Sequence, residues 1–159
     1  MNPQPTDHAH SRIDIHSHLL PGIDDGCASL DESLESVRRL IAAGYRGSIC
    51  TPHIWPEKYA GNKTGHIEAW TKQLQLQIWD TGLDYQVWPG GELRLFEGMI
   101  DWMKQRGVPT LAGSRCVLLD YWDNDWPKWT NECFRWLLDE GYQPILAHPE
   151  RLTPSPLTL

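Results

Sequence analysis

Strand-like apolar runs alternate with helix-like amphipathic runs along most of this chain, and each strand-like run leads into a histidine or a carboxylate. From His16 to His53, Glu92, Asp120 and His148 the steps are 37, 39, 28 and 28 residues. These steps are close to the ~30 or more residues expected of a strand-helix-strand unit. Parallel strands joined by right-handed crossovers bring their C-terminal ends to one face, where barrel enzymes place their chemistry. The expected class is therefore α/β, built on about five parallel β/α units, with its polar residues gathered at one end.

The punctuation between the runs supports the units. Residues 12–16 alternate as a short strand, and Ser29-Leu30-Asp31-Glu32 fits a capping box with Ser29 at the N-cap. A helix follows with Leu34, Val37, Leu40 and Ile41 on one stripe, and Gly44 stops it. Residues 46–51 read as the second strand, closed by Thr51-Pro52-His53, because proline gives no ladder N–H. Residues 62–80 carry Ile67, Trp70, Leu74 and Ile78 at helical spacing, and 83–89 lead to Gly90-Gly91-Glu92. A shorter helix over 96–106, a strand over 115–121 ending near Asp120, a helix over 127–140 and a strand over 143–147 complete the series. Residues 1–11, with His8 and His10, read as a solvated tail, 12–151 as the domain and 152–159 as an irregular end.

His16 and His18 fall on one face of the first strand, since strand side chains alternate with period two. Pro21-Gly22-Ile23-Asp24-Asp25-Gly26 then turns the chain and sets two carboxylates beside the imidazoles. An isolated His-x-His also fits a strand that simply ends in solvent. Six such residues, His16, His18, His53, Glu92, Asp120 and His148, in register at five successive strand ends favour a metal centre. Four imidazoles with carboxylates and no thiolate suit Mn, Fe(II) or Zn, and the ligand count suits more than one ion. Such a centre activates water for hydrolysis of a phosphate ester. Arg151, three residues past His148, is the candidate phosphate cation or else a partner of Glu150. Asp24 or Asp25 is the candidate for orienting water or protonating the leaving group.

Composition closes several other routes. The net charge is −7 with no Lys/Arg run, which argues against a nucleic-acid partner, because phosphate neutralisation needs clustered cations. No run has the apolar length of a membrane span and the start lacks an apolar signal core, so the expected compartment is the cytoplasm. Cys27, Cys50, Cys116 and Cys133 form no Cys-x-x-Cys pair. A cysteine phosphatase needs Arg six positions after its nucleophile, and those positions hold Ser33, Pro56, Trp122 and Asp139. Nine tryptophans are many for 159 residues; the group Trp122, Trp126, Trp129 and Trp136 reads as core and surface packing, with a docking surface or lid as the alternative.

Four segments carry a specific resemblance: Asp-Ile-His-Ser-His-Leu-Leu-Pro-Gly-Ile-Asp-Asp-Gly from Asp14, Thr51-Pro52-His53, Gly90-Gly91-Glu92-Leu93-Arg94 and Ile145-Leu-Ala-His-Pro-Glu-Arg151. In order and spacing they resemble the motifs of bacterial PHP-superfamily (polymerase and histidinol phosphatase) protein tyrosine phosphatases of capsular and exopolysaccharide biosynthesis. The resemblance covers about residues 12–151 and implies a distorted, TIM-like β/α barrel. It also implies a manganese site of two or three ions, with Fe or Zn as alternatives. The implied reaction is dephosphorylation of the tyrosine kinase, or polysaccharide co-polymerase, that controls polysaccharide export. By that resemblance His16, His18, His53, Glu92 and His148 match metal ligands, and Arg151 matches a substrate-phosphate arginine.

Two departures accompany it. The family has Glu where this chain has Asp120, a carboxylate with a reach shorter by one C–C bond, ~1.5 Å. The family also adds later β/α units with an Asp-x-His ligand pair, and no Asp-x-His follows Asp14-Ile15-His16 in this sequence. About eight strands normally close such a barrel, so the expectation is a C-terminally truncated, incomplete barrel with an open sheet edge. The alternatives to a protein tyrosine phosphatase are an inactive remnant that retains metal or partner binding, and a phosphoesterase acting on a small phosphate ester.

Overall fold

The structure, a computed structural model, describes residues 12–123 and 126–151. The tails expected over 1–11 and 152–159 lie outside the described residues.

The chain runs β1 (Arg12–Ser17), α1 (Leu30–Ala42), β2 (Tyr45–Cys50), β3 (His53–Ile54), α2 (Thr64–Asp80), β4 (Gln86–Pro89), β5 (Glu92–Arg94), α3 (Met99–Arg106), β6 (Cys116–Asp120), α4 (Lys128–Asp139) and β7 (Gln143–Leu146). All strand pairs are parallel, in the orders β1-β2-β4 and β3-β5-β6-β7. The seven strands are the five expected ones with the second and third each broken in two. Pro52 interrupts β2 and β3, and Gly90-Gly91 interrupts β4 and β5, at the same level of the sheet. The Glu92 N–H donates to the Pro52 carbonyl at 3.1 Å and ties the two breaks together.

The order β1, β2/β3, β4/β5, β6, β7 follows the chain, as successive β/α units require. Among the described residues β1 and β7 do not pair with each other, so the sheets stay open and no closed barrel is formed.

The helices end where the sequence says they should. Gly44, Gly82, Gly107 and Gly141 have φ of 87°, 75°, 87° and 79°, the left-handed conformation that closes a helix without cost to glycine. Ser29 caps α1 by accepting from the Glu32 N–H at 3.3 Å. Glu32 returns its carboxylate to the Ala28 N–H at 2.8 Å, one residue earlier than a standard capping box. A main core holds the sheets to the helices, with Val37, Ile67, Ile78, Leu93, Val117, Leu119, Cys133 and Leu137 almost fully buried in it, and a smaller cluster gathers Ile49, Leu111, Leu118 and Ala147.

β1 differs from a simple half-buried strand. Ile13 and Ile15 are exposed, whereas Asp14 and His16 are turned inward. Asp14 accepts from the Ser48 hydroxyl at 3.3 Å, and Ser48 in turn meets the Tyr85 hydroxyl at 2.5 Å. The inward face of this edge strand is therefore polar, which is the condition for delivering His16 to a polar centre.

Candidate metal centre

Glu92 stands at the middle of the C-terminal end of the sheets with no exposed side-chain surface. Four imidazoles surround its carboxylate. His16 Nε2 lies 3.2 Å and His148 Nε2 3.5 Å from Oε1; His18 Nε2 lies 3.3 Å and His53 Nδ1 2.9 Å from Oε2. These residues come from β1, the turn after it, the start of β3, and the segment after β7, so the topology alone accounts for their meeting. Despite the short distances, neither Glu92 oxygen has a hydrogen-bond partner of acceptable geometry. A buried carboxylate costs several kcal/mol unless its charge is compensated. Nitrogen and oxygen ligands about 2.0–2.2 Å from one cation stand roughly 3–3.5 Å from each other. The orphaned oxygens and crowded ring nitrogens thus fit a divalent cation between them better than they fit direct hydrogen bonds.

Ligand atoms of His16, Glu92 and His148 lie within 4.8 Å of one another, as do those of His18, Asp25 and His53, and those of His53, Glu92 and Asp120. Glu92 and His53 each belong to two of these groups. The six residues expected from the sequence therefore come together, and Asp25 joins them with Oδ1 3.3 Å from His53 Nε2. Sequence reasoning had placed Asp25 only as an alternative to Asp24 for handling water or protons. The doubled Asp24-Asp25 was the available signal.

Asp24 occupies a different position. Its Oδ2 lies 2.7 Å from His18 Nδ1 and accepts from the His53 N–H at 3.0 Å, while Oδ1 accepts from the Gly26 N–H at 3.0 Å. Its side chain is 1% exposed. Burial works against its charge, but the His18 contact and the two backbone donors outweigh burial and hold its carboxyl below the ordinary range. Burial likewise opposes charge on His18, and the carboxylates of Asp24 and Glu92 overcome it, raising the imidazole to about 10. For Glu92 too, burial is outweighed by the imidazoles of His16, His18 and His53, which keep the carboxylate ionised.

Asp120 ends β6 almost fully buried, held by the Trp122 indole N–H and by Arg151 Nη1 at 3.4 Å. Burial first, then the charge of Glu92, raises its carboxyl. His148 has φ of 52°, although it is neither glycine nor free of its following Pro149. Residues before proline normally stay extended, so this left-handed turn is a strained conformation at a site, of the kind found where geometry serves function. Arg151 lies in the short turn Pro149–Arg151 with Cζ 4.5 Å from the Trp122 ring centroid. Arg94, two residues beyond Glu92 on β5, stacks over Trp55 at 4.2 Å and lies 3.6 Å from Asp123. Its position was legible in the Gly-Gly-Glu-Leu-Arg segment, because period two puts it on the face of Glu92.

Parallel β/α units with histidines and carboxylates converging at their C-terminal ends define a site of the multi-ligand metal-binding type. Residues 12–154 match the family described as capsular polysaccharide synthesis, CpsB/CapC, and the chain belongs to that family. It is 30% identical over 139 residues to the putative tyrosine-protein phosphatase CapC of Staphylococcus aureus, covering 87% of this chain and 54% of that protein. It is 31% identical over 139 residues to the tyrosine-protein phosphatase YwqE of Bacillus subtilis strain 168, with the same coverage. Among solved structures it is similar to one described under YwqE from B. subtilis and CpsB from Streptococcus pneumoniae, unique metal-dependent tyrosine phosphatases. That match has a TM-score of 0.82 and 30% identity, over 89% of this chain and 57% of the other. The chain spans about half the length of the curated relatives it matches.

Proposed function

We propose that this chain carries the site of a manganese-dependent phosphoric monoester hydrolase acting on phosphotyrosine in a protein. The carrying observation is Glu92, buried and surrounded by four imidazole nitrogens within 3.5 Å yet without a hydrogen-bond partner of acceptable geometry. His16, His18, His53, Glu92, Asp120 and His148, with Asp25, would hold two or three ions. Manganese leads because imidazole mixed with carboxylate is its donor set, and iron and zinc share it. When bound, such ions supply positive charge for phosphoryl oxygens and lower the pKa of water.

The chain's own groups do the rest. Arg151, 39% exposed beside Asp120, would bind phosphoryl oxygens through its planar guanidinium. Asp24 holds His18 in the tautomer that leaves Nε2 toward Glu92, and with its oxygens all engaged it acts on the reaction through His18. The relatives' names support a tyrosine-phosphorylated protein as substrate. The proposed partner is the tyrosine kinase or co-polymerase of capsule and exopolysaccharide synthesis. The proposed compartment is the cytoplasm, in keeping with four free cysteines. No described helix is long and apolar enough to cross a membrane.

The test is phosphate release from a phosphotyrosine peptide, compared at equal manganese with a phosphoserine peptide and a sugar phosphate. The expected result is manganese-stimulated turnover of the phosphotyrosine peptide, abolished by chelator and by His16→Ala. Turnover indifferent to chelators, or faster on the sugar phosphate, would overturn the proposal.

A further inference from the structure

Beside the metal centre stand three aromatic rings whose ring contacts are with each other, with His53 and with cations. Tyr59 stacks on His53 at 5.7 Å with an interplanar angle of 7°, and Trp122 meets the same imidazole edge-on at 6.5 Å. Trp55 joins both, 6.4 Å from Tyr59 and 6.1 Å from Trp122. His53 itself reaches Glu92 at 2.9 Å, so the wall begins one side chain from the centre.

Other tryptophans are used differently. Trp70, Trp102, Trp129 and Trp136 pack against the main core. Trp122 is 45% exposed, and its indole N–H is committed to Asp120, which fixes the ring's edge, while Arg151 lies over one of its faces. Leaving a large ring half in water forgoes burial energy that a core tryptophan would gain. The wall also collects cations: Arg151 over Trp122 at 4.5 Å, Arg94 over Trp55 at 4.2 Å, and Lys58 over Trp55 and Tyr59 at 5.2 and 4.9 Å. In a chain of net charge −7, this concentration of positive charge at one rim favours an anionic ligand.

We infer that Trp122 and Trp55, with Tyr59 behind them, form the platform on which the aryl ring of the substrate rests while Arg151 binds its phosphate. This inference rests on the phosphatase reading and adds the residues that select the ester. An aryl phosphate carries its ring on the ester oxygen itself, so a phosphate at the metal centre brings that ring directly against a wall that starts at His53. A phosphoserine carries a methylene there and then backbone, with no flat surface to stack. Selection of aryl over alkyl phosphate therefore arises from Trp122 and Trp55, separately from the groups that hold the phosphate.

Calorimetric binding to the manganese-loaded full chain, using phenylphosphonate, ethylphosphonate and inorganic phosphate, reads this without turnover. Phenylphosphonate is expected to bind about tenfold more tightly than ethylphosphonate, the scale of one aromatic stacking contact plus ring burial. The ratio is expected to fall to about one in Trp122→Ala and in Trp55→Ala. It is expected to persist in Trp122→Phe, which keeps a ring face but loses the N–H to Asp120. Equal affinities in the unaltered protein, or a ratio unchanged in both alanine variants, would overturn the platform and leave the phosphatase reading standing. Absence of phosphate binding altogether would overturn both.

Discussion

His18 Nδ1 and Asp24 Oδ2 lie 2.7 Å apart, and that contact decides which nitrogen of His18 faces the centre. With Nδ1 committed to a carboxylate, Nε2 is left 3.3 Å from Glu92. Asp24 also receives the His53 N–H, so one buried carboxylate orients two of the four imidazoles, one through its ring and one through its backbone.

Asp24→Asn keeps the shape of that contact and removes its charge. The expected outcome is a folded protein whose affinity for manganese is lower by 10–100-fold, the usual cost of losing a carboxylate behind a metal-bound histidine. Calorimetric metal titration of the two proteins checks it. An unchanged affinity would show that His18 is oriented by the backbone of its turn alone.

Gly26 has no room for a side chain. A Cβ there would fall well inside contact distance of the His18 Cβ and carbonyl oxygen, neither of which is the flexible end of a side chain. Gly26→Ala must therefore displace the turn that carries Asp24 and Asp25. A loss of stability of about 1–3 kcal/mol is expected, with weakened manganese binding. Denaturant unfolding and metal titration together measure it, and Gly65→Ala, in open space at the start of α2, serves as the comparison.

These residues also show what a sequence can carry. The repeated β/α unit was legible because helix stops and strand ends are local signals, and Gly44, Gly82, Gly107 and Gly141 each adopt the left-handed turn their positions required. The convergence of His16, His18, His53, Glu92, Asp120 and His148 was legible for the same reason, since parallel order places strand ends together. The breaks that split two strands were not, because β3 and β5 have only 2 and 3 residues, too few to show a period. The left-handed His148 ran against the local rule for a residue before proline. The aromatic wall joins Trp55 and Tyr59, neighbours in one local turn, to Trp122, whose nearness to them comes from tertiary packing and leaves no mark on spacing.

Burial raises three weak acids away from the metal centre: Cys50 to about 12, Tyr85 to about 12 and Cys133 to about 11. In the unfolded chain these groups ionise near their ordinary values of roughly 8.5 for cysteine and 10 for tyrosine. The folded state holds their protons longer, so their contribution is fully present below about pH 8.5 and is lost as pH rises through about 12. Stability should fall steadily on the alkaline side between those limits. Denaturant midpoints measured from pH 7 to 11 check this, and Cys50→Ala should reduce the slope. At pH 8, Cys50 and Cys133 should resist thiol reagents while the half-buried Cys27 and Cys116 react.

Glu92→Gln separates the two demands placed on the centre. The substitution keeps the shape of a side chain with no exposed surface but removes the charge on which four imidazoles converge. Without a cation, the glutamine can still accept or donate a hydrogen bond toward the surrounding imidazoles, so near neutral pH the fold should survive. His18, whose charged form Asp24 and Glu92 together favour, is left with Asp24 alone, and buried charge that loses a partner is costly. The variant should therefore unfold at a higher pH than the parent when acidified. Its manganese affinity should drop by at least 100-fold, because Glu92 belongs to two of the three ligand groups. Acid unfolding followed by circular dichroism, alongside metal titration at pH 8, checks both. A variant that bound manganese normally would remove Glu92 from the centre of the site.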